Sequence, residues 1–98
     1  MSISVGICQI KLRLPENSSL KGKRSVIKSI VTLVQNKFNV SVAEVEDQDA
    51  WQIATLGVSC ISNNSQHTNE VLSKVVNFVD SGRFDVELLD YEIEILPV

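Results

Sequence analysis

Apolar and polar residues alternate along the start of the chain as they do in a β-strand. Between residues 3 and 14 two apolar faces result, with Cys8, Ile10, Leu12 and Leu14 on one and Ile3, Val5 and Ile7 on the other. Pro15 ends this strand, because proline lacks the N–H group that the ladder of hydrogen bonds needs. The pattern therefore predicts a first strand that is apolar on both faces at its start.

The spacing of apolar residues changes to the three- and four-residue steps of an α-helix in two later segments. The first runs from Leu20 to about Phe38, and the second has its apolar stripe at Val71, Leu72, Val75, Phe78 and Val79. The N-cap candidates are Ser18 and Ser19 for the first helix and Asn64 and Ser65 for the second. Gly82 is predicted to cap the end of the second helix, because glycine adopts the left-handed cap conformation at little cost.

Three more strands are predicted from the rest of the chain. A β-branched stretch from Val40 to Val45 gives the second strand, and the segment from Trp51 to Ile61 gives the third. In the last strand apolar residues alternate with acids, as Leu89, Tyr91, Ile93 and Ile95 against Asp90, Glu92 and Glu94. We expect one face of this strand to be buried and the other to be wet.

The order of these elements is β-α-β-β-α-β in a chain of 98 residues, which is the length of one domain. Two right-handed βαβ crossovers interleave in this order into a four-stranded antiparallel sheet with both helices on one face. The sequence thus predicts the α+β class and a single ferredoxin-like βαββαβ sandwich over residues 1–98.

One face of such a sheet is not covered by helices. Ile3, Val5 and Ile7 do not suit water, yet they lie on a strand that is central in this topology. An exposed apolar patch usually has a partner, so we expect a homodimer through the open sheet face. The alternative is a bulge that shifts the phase of the first strand and turns these residues toward the helices.

Composition is typical of a soluble globular protein, with 44% apolar and 21% charged residues. No run of about 18 apolar residues occurs, and no basic segment precedes the apolar residues at the N-terminus. We therefore expect no membrane association, no export signal and a cytoplasmic location. Cys8 and Cys60 lie within apolar runs and are predicted to be buried free thiols rather than a disulfide or a metal site.

The net charge of −3 is divided unevenly along the chain. Seven of the nine basic residues precede Phe38 with Glu16 as the only acid among them, so this part has a charge of +6. From Glu44 onward, eleven acids against Lys74 and Arg83 give a charge of −9. Such asymmetry marks either an anion-binding face opposite an acidic one or two parts that neutralise each other in the fold or across a dimer.

The densest acidic run comprises Glu44, Glu46, Asp47 and Asp49. Clustered carboxylates bind Mg²⁺ or Ca²⁺ or divide acid and base roles in catalysis. The segment EVEDQDAWQ lacks the glycine of a calcium loop, and the single histidine, His67, is remote. The run is therefore predicted to be a connection between strands, and no metal, cofactor or catalytic residue is assigned. A metal-dependent enzyme built on these four acids is the alternative.

The single tryptophan, Trp51, stands at the predicted start of the third strand. There an indole ring suits the edge of a core, with its N–H group directed to a carbonyl or to water. Core capping is the favoured interpretation. The alternative is a surface anchor that binds a partner or stacks on a base.

The start of the first helix, SLKGKRSVIKS, is the strongest candidate for binding an anion. Free backbone N–H groups at a helix N-terminus attract anions, and Lys21, Lys23 and Arg24 add positive charge. Together with Lys11 and Arg13 on the first strand they form the predicted contact set for RNA phosphates. This prediction requires Lys21, Lys23 and Arg24 to lie on one exposed surface. The alternative is a solvated helix face.

Two blocks of the sequence, SLKGKRS at residues 19–25 and KFNVSVAEVEDQDAWQIATLGVS at residues 37–59, resemble the YlxP-like family of small bacterial proteins. The resemblance extends over nearly the whole chain, to the final YEIEIL. Gly22 departs from the family pattern at a position where an acid is expected, and Ile53 at one that is often basic. The function of the family's domain is unknown.

The resemblance implies a cytosolic ferredoxin-like domain without recognised catalytic residues. Genes of the family are commonly found beside those for translation initiation and ribosome maturation, which implies ribosomal RNA or a ribosomal subunit as a partner. Our first hypothesis is a non-enzymatic accessory factor that associates with the ribosome or RNA. The alternative is a homo-oligomeric regulatory module that binds a small ligand in a pocket containing Trp51 or Tyr91.

Overall fold

The computed structural model describes residues 3–98, and within them four strands and two helices follow one another in the predicted order. They are β1 (Ser4–Arg13), α1 (Leu20–Lys37), β2 (Ser41–Glu46), β3 (Ile53–Ser62), α2 (Ser65–Val79) and β4 (Glu87–Pro97). The strands form one antiparallel sheet in the order β2-β3-β1-β4. The predicted ferredoxin-like α+β fold is confirmed.

The core lies between the sheet and the two helices. From strand β1 the core contains Cys8, Ile10 and Leu12, which have no exposed surface. From β3 it contains the buried side chains of Ala54, Leu56 and Val58. On the opposite face of β1, Ile7 is exposed, and so is Ile3 directly before the strand. Burial alternates without interruption along β1, so this strand contains no phase shift. The bulge proposed as an alternative for β1 is therefore absent there.

Bulges occur instead in the two edge strands. Lys11 pairs with Asp90 and Leu12 pairs with Leu88, which leaves Leu89 as the extra residue of β4. As a result Leu89 is exposed, while Ile93 and Ile95 are partly buried against the core. Tyr91 pairs with Ile10 in the unshifted register and is nevertheless exposed. The prediction of one buried apolar face along the whole of β4 is therefore wrong for its first half.

The N-terminal caps follow the predictions. The Ser19 hydroxyl accepts a hydrogen bond from the Gly22 N–H at 3.0 Å at the start of α1. The Asn64 side-chain oxygen accepts from the N–H groups of Gln66 and His67 at 2.9 and 3.1 Å at the start of α2. Each cap satisfies donors that have no partner within the helix.

The C-terminus of α2 differs from the prediction. Gly82 has a left-handed φ of 83°, but the helix is capped two residues earlier, at Asp80. Just beyond this cap, the Ser81 hydroxyl donates to the Phe78 carbonyl at 2.7 Å. Gly82 turns the chain toward β4 instead.

Both cysteines are free and buried, as predicted. Burial raises the pKa of the Cys8 thiol from 9.0 to about 11, and it also raises the pKa of the Cys60 thiol. Neither thiol is therefore a thiolate at neutral pH. Within residues 3–98, no helix is long and apolar enough to cross a membrane.

Candidate functional site

The open face of the sheet carries a contiguous group of exposed or partly exposed apolar side chains. We call it the apolar patch, and its members are Ile3, Val5, Ile7, Ile61 and Leu96. In the register of the sheet Val5 pairs with Ile61 of β3 on one side and with Leu96 of β4 on the other. Ile7 is 43% exposed and Ile61 is 67% exposed. The patch therefore crosses three strands at one end of the sheet.

The other end of the open face is polar and holds a shallow depression of about 220 Å³. We call it the polar cavity, and it is lined by Gln9, Lys11, Glu46, Thr55, Asp90, Tyr91 and Glu92. Three carboxylates and one ammonium group give it a negative balance. Thr55 is buried, and its hydroxyl donates to the Asp47 carboxylate at 2.7 Å. This end of the face therefore suits a small polar ligand.

The polar cavity contains Tyr91, which was a predicted lining residue, but not Trp51. Gln9 and Thr55 were not predicted as site residues. They are brought together only by the pairing of β1 with β3, in which Gln9 lies opposite Gly57 and Lys11 lies opposite Thr55. No sequence motif predicts that Gln9 and Thr55 lie close together, because their proximity depends on how β1 pairs with a strand that is distant in the sequence.

Lys23 does not lie on the surface, and this corrects the predicted anion site. Its side chain is 1% exposed, and its ammonium group donates to the backbone carbonyls of Asp47 and Ala50, the latter at 2.7 Å. The Oε2 atom of Glu44 lies 2.8 Å from the same nitrogen, although outside hydrogen-bonding geometry, so this contact is chiefly Coulombic. A lysine held in this way is not available to an external phosphate.

The other four cations of the predicted set are exposed but do not share one face. Lys11 and Arg13 lie on the open face of β1, and Arg13 makes a long, half-exposed ion pair with Glu87 at 3.9 Å. Lys21 and Arg24 lie on α1, in the layer on the other side of the sheet. The required cluster of Lys21, Lys23 and Arg24 on one exposed surface is therefore not formed.

The acidic run is built into the connection between β2 and β3. The Glu44 carboxylate is paired with the Lys23 ammonium group. Asp47 has a left-handed φ of 64°, and its backbone carbonyl accepts a hydrogen bond from the Ala50 N–H at 3.0 Å. A short polar side chain tolerates this conformation, which is why an aspartate suits the turn. Within residues 3–98, no group of three or more His, Cys, Asp or Glu side chains is arranged to hold a metal ion.

Trp51 does not cap the core, and the favoured interpretation of this residue is wrong. Its side chain is 55% exposed just before β3, and its backbone carbonyl accepts a hydrogen bond from the Asn17 amide. The backbone of Trp51, rather than its ring, is thus used to fasten the β2–β3 connection to the start of α1. Its role as an anchor for a partner stays a prediction.

Comparison with known proteins agrees with the resemblance noted in the sequence. The sequence profile of the family described as "Protein of unknown function (DUF503)" matches residues 5–93. The uncharacterized protein YlxP of Bacillus subtilis (strain 168) is 40% identical over 77 residues, covering 79% of this chain and 84% of that protein.

Among solved structures, the apo form of LarC2, the C-terminal domain of a cyclometallase involved in the synthesis of the NPN cofactor of lactate racemase, superposes with a TM-score of 0.54 at 8% identity. The match covers all of this chain and 58% of that one. The de novo designed protein Foldit4 gives a TM-score of 0.49 at 14% identity over 97% of its length. At such identities the likeness to LarC2 shows the fold alone.

Proposed function

This chain belongs to the DUF503 family, whose function is unknown, and from that premise we propose that it is a homodimeric binding module that takes a small polar ligand on its open sheet face. The apolar patch is the observation that carries this proposal. Large apolar side chains lie together in water on a face that neither helix covers. Covering them gains roughly 25 cal/mol for each Å² of apolar surface removed from water.

The two edges of the sheet are less suited to self-association than its open face. Strand β4 carries Glu92 and Glu94 opposite Gln9 and Ile7, with no cation across from either acid. A second β4 strand paired along this edge would bring like charges together. Strand β2 has only six residues and is bulged at Val45, which limits pairing along the opposite edge.

The apolar patch and the polar cavity occupy opposite ends of the open face. Val5 and Lys11 are six residues apart on β1, a separation of roughly 20 Å along an extended strand. A dimer centred on the patch therefore leaves the polar cavity at the margin of the interface. We propose that a ligand there contacts both subunits, so that ligand binding and dimer stability are coupled.

The oligomeric state tests the proposal directly. We expect the protein to be a dimer by light scattering after size-exclusion chromatography, and Ile7→Glu to convert it to a monomer. Leu33→Glu is the matched control, because Leu33 is similarly exposed, at 37%, but lies on α1. This control should remain dimeric. A monomeric wild-type protein at micromolar concentrations, or a dimer that survives Ile7→Glu, would refute the proposal.

Association with ribosomal RNA is a second candidate, and it is supported by the exposure of Lys21 and Arg24 at the start of α1. Two facts reduce its support. Lys23 is removed from the contact set by burial, and the surrounding protein is acidic, with a pI near 5.0. The exposed cations that remain, Lys11, Arg13, Lys21 and Arg24, define a smaller possible RNA contact, and charge-reversal variants test it.

A further inference from the structure

A second surface lies on the helix layer, away from the open sheet face. Phe78 in the last turn of α2 packs edge-to-face against Phe38 on one side and Phe84 on the other, with ring centroids 5.8 Å apart in both pairs. Phe38 directly follows α1, and Phe84 lies in the connection to β4. All three rings are partly exposed, so the cluster reaches the surface.

Cations are held against these rings. The Lys37 ammonium lies 5.5 Å from the centre of the Phe78 ring and 5.9 Å from that of Phe38, and the Arg83 guanidinium lies 5.0 Å from the centre of Phe78. Lys74 stands one turn before Phe78 on α2. We call Phe38, Phe78, Phe84, Lys37, Lys74 and Arg83 the basic aromatic surface.

A depression of about 310 Å³ opens in this surface between Lys37, Phe38, Lys74, Asn77 and Phe78. None of these residues is acidic. Its walls are phenylalanine rings and the stems of two lysines, so it suits an apolar side chain. The ammonium groups of Lys37 and Lys74 lie where they can meet carboxylates that flank such a side chain.

In the part of the chain that the structure describes, no carboxylate forms an ion pair with these cations. Within residues 3–98, the ion pairs are Arg13–Glu87 and Lys23–Glu44, so Lys37, Lys74 and Arg83 have no acidic partner within 4.0 Å. Asp85 lies beside Arg83 and Phe84 in the connection to β4, but among the described residues it forms no ion pair with Arg83. The positive charge at this surface is therefore available to a partner of opposite charge.

We propose that the basic aromatic surface binds an acidic peptide segment of a partner protein. An apolar side chain of that segment enters the depression, and flanking carboxylates pair with Lys37, Lys74 and Arg83. A nucleic acid fits less well, because base stacking needs a free aromatic face and the Phe78 ring is already occupied by two cations. The surface is separate from the open sheet face, so this inference does not depend on the proposed dimer.

The test uses a dye-labelled peptide of glutamates around a single leucine, followed by fluorescence anisotropy with the full-length protein. We expect saturable binding that weakens with salt. Lys74→Glu should weaken it about tenfold or more, a loss of roughly 1.4 kcal/mol for each tenfold step. Lys28→Glu is the matched control, because Lys28 is also exposed but lies on α1 away from the depression. It should change binding less than about twofold.

Two further probes keep the outcome unambiguous. A peptide with glycine in place of leucine should bind distinctly more weakly, because it leaves the depression empty. A labelled poly-uridine RNA should bind more weakly than the peptide. The proposal fails if the peptide does not bind, if Lys28→Glu weakens binding as much as Lys74→Glu, if the glycine peptide binds equally well, or if the RNA is preferred.

Discussion

Lys23 places its positive charge in the interior at the point where the β2–β3 connection crosses the start of α1. Its three partners, the carboxylate of Glu44 and the carbonyls of Asp47 and Ala50, all belong to β2 or to the connection that follows it. A desolvated ammonium is tolerated only when it is paired and hydrogen-bonded in this manner. The side chain thus holds the acidic turn in place.

Removing this lysine should destabilise the fold strongly. Lys23→Met leaves Glu44 without its partner and two carbonyls without a donor, so we expect a loss of about 3–5 kcal/mol in the free energy of unfolding by urea denaturation. Lys21→Met, two residues away and exposed, should stay within about 0.5 kcal/mol of the wild type. Equal effects of the two changes would contradict the buried role of Lys23.

The Cys8 thiol gives a prediction for alkaline pH. Its pKa is about 11 in the folded state against an ordinary 9.0, so the folded state holds the proton more tightly than the unfolded state. The contribution of Cys8 to stability is therefore complete below pH 9 and is lost as the pH rises toward 11. Cys8→Ala should lose less stability over this interval than the wild type. A steeper alkaline loss in the variant would refute this.

At the level of elements, the first turn of α1 is tied to the start of β3 through Asn17. The Asn17 amide donates to the carbonyls of Ser19 and Trp51. A Cβ atom added at Gly22 would lie 2.3 Å from the Asn17 side-chain oxygen. Gly22, which departs from the family pattern, therefore leaves the space that Asn17 occupies.

This packing predicts opposite effects of one substitution in two backgrounds. Gly22→Ala should destabilise the protein by about 1 kcal/mol, because it displaces Asn17 and its hydrogen bonds. In an Asn17→Ala background the same change should stabilise by up to about 1 kcal/mol, the usual preference of a helix for alanine over glycine. A double-mutant cycle by chemical denaturation measures the coupling. Additive effects would show that the two positions are independent.

The order and type of all six elements were predictable from the sequence, because periodicity distinguishes the alternating strands from the helical stripes. The burial of Lys23 differs from the prediction, although the spacing of apolar residues along α1 is consistent with it. Lys23, Ile27, Ile30 and Val34 are the buried residues of α1, and they follow the helical period. Lysine is usually exposed, so its charge predicts a surface position even though its spacing matches the buried stripe of α1.

The details at the sheet edges were not predictable from the pattern. A bulge at Leu89 changes which side chains of β4 face the core, and nothing in the local sequence distinguishes it from regular alternation. The polar cavity likewise depends on the pairing register of β1 with β3 and β4. Register follows from packing of the whole sheet, which local periodicity does not contain.

For the whole molecule, the distribution of cations determines how the ribosomal hypothesis is tested. We expect salt-sensitive co-sedimentation with ribosomal subunits if RNA phosphates are bound, since such contacts release counterions. Binding should be lost in Lys21→Glu with Arg24→Glu if α1 makes the contact. The Lys11→Glu with Arg13→Glu pair, on the other side of the sheet, is the matched comparison. Lys23 is left intact, because it is buried and its loss would destabilise the fold.

Absence of binding at low salt, or binding unaffected by both pairs, would exclude these cations as an RNA contact. The homodimer and the basic aromatic surface would be untouched by that result, since they rest on other residues. The three hypotheses about this protein are therefore separable by variants that each leave the core intact.

The position of β1 in the sheet has a consequence for the synthesis of the protein. Of the four strands, β1 is made first, and it pairs with β3 on one side and with β4, residues 87–97, on the other. A nascent chain that has been made only as far as α2 thus holds β1 with one unsatisfied edge. This sheet is completed only when β4 has been released, and until then one edge of β1 is open to pairing with other chains.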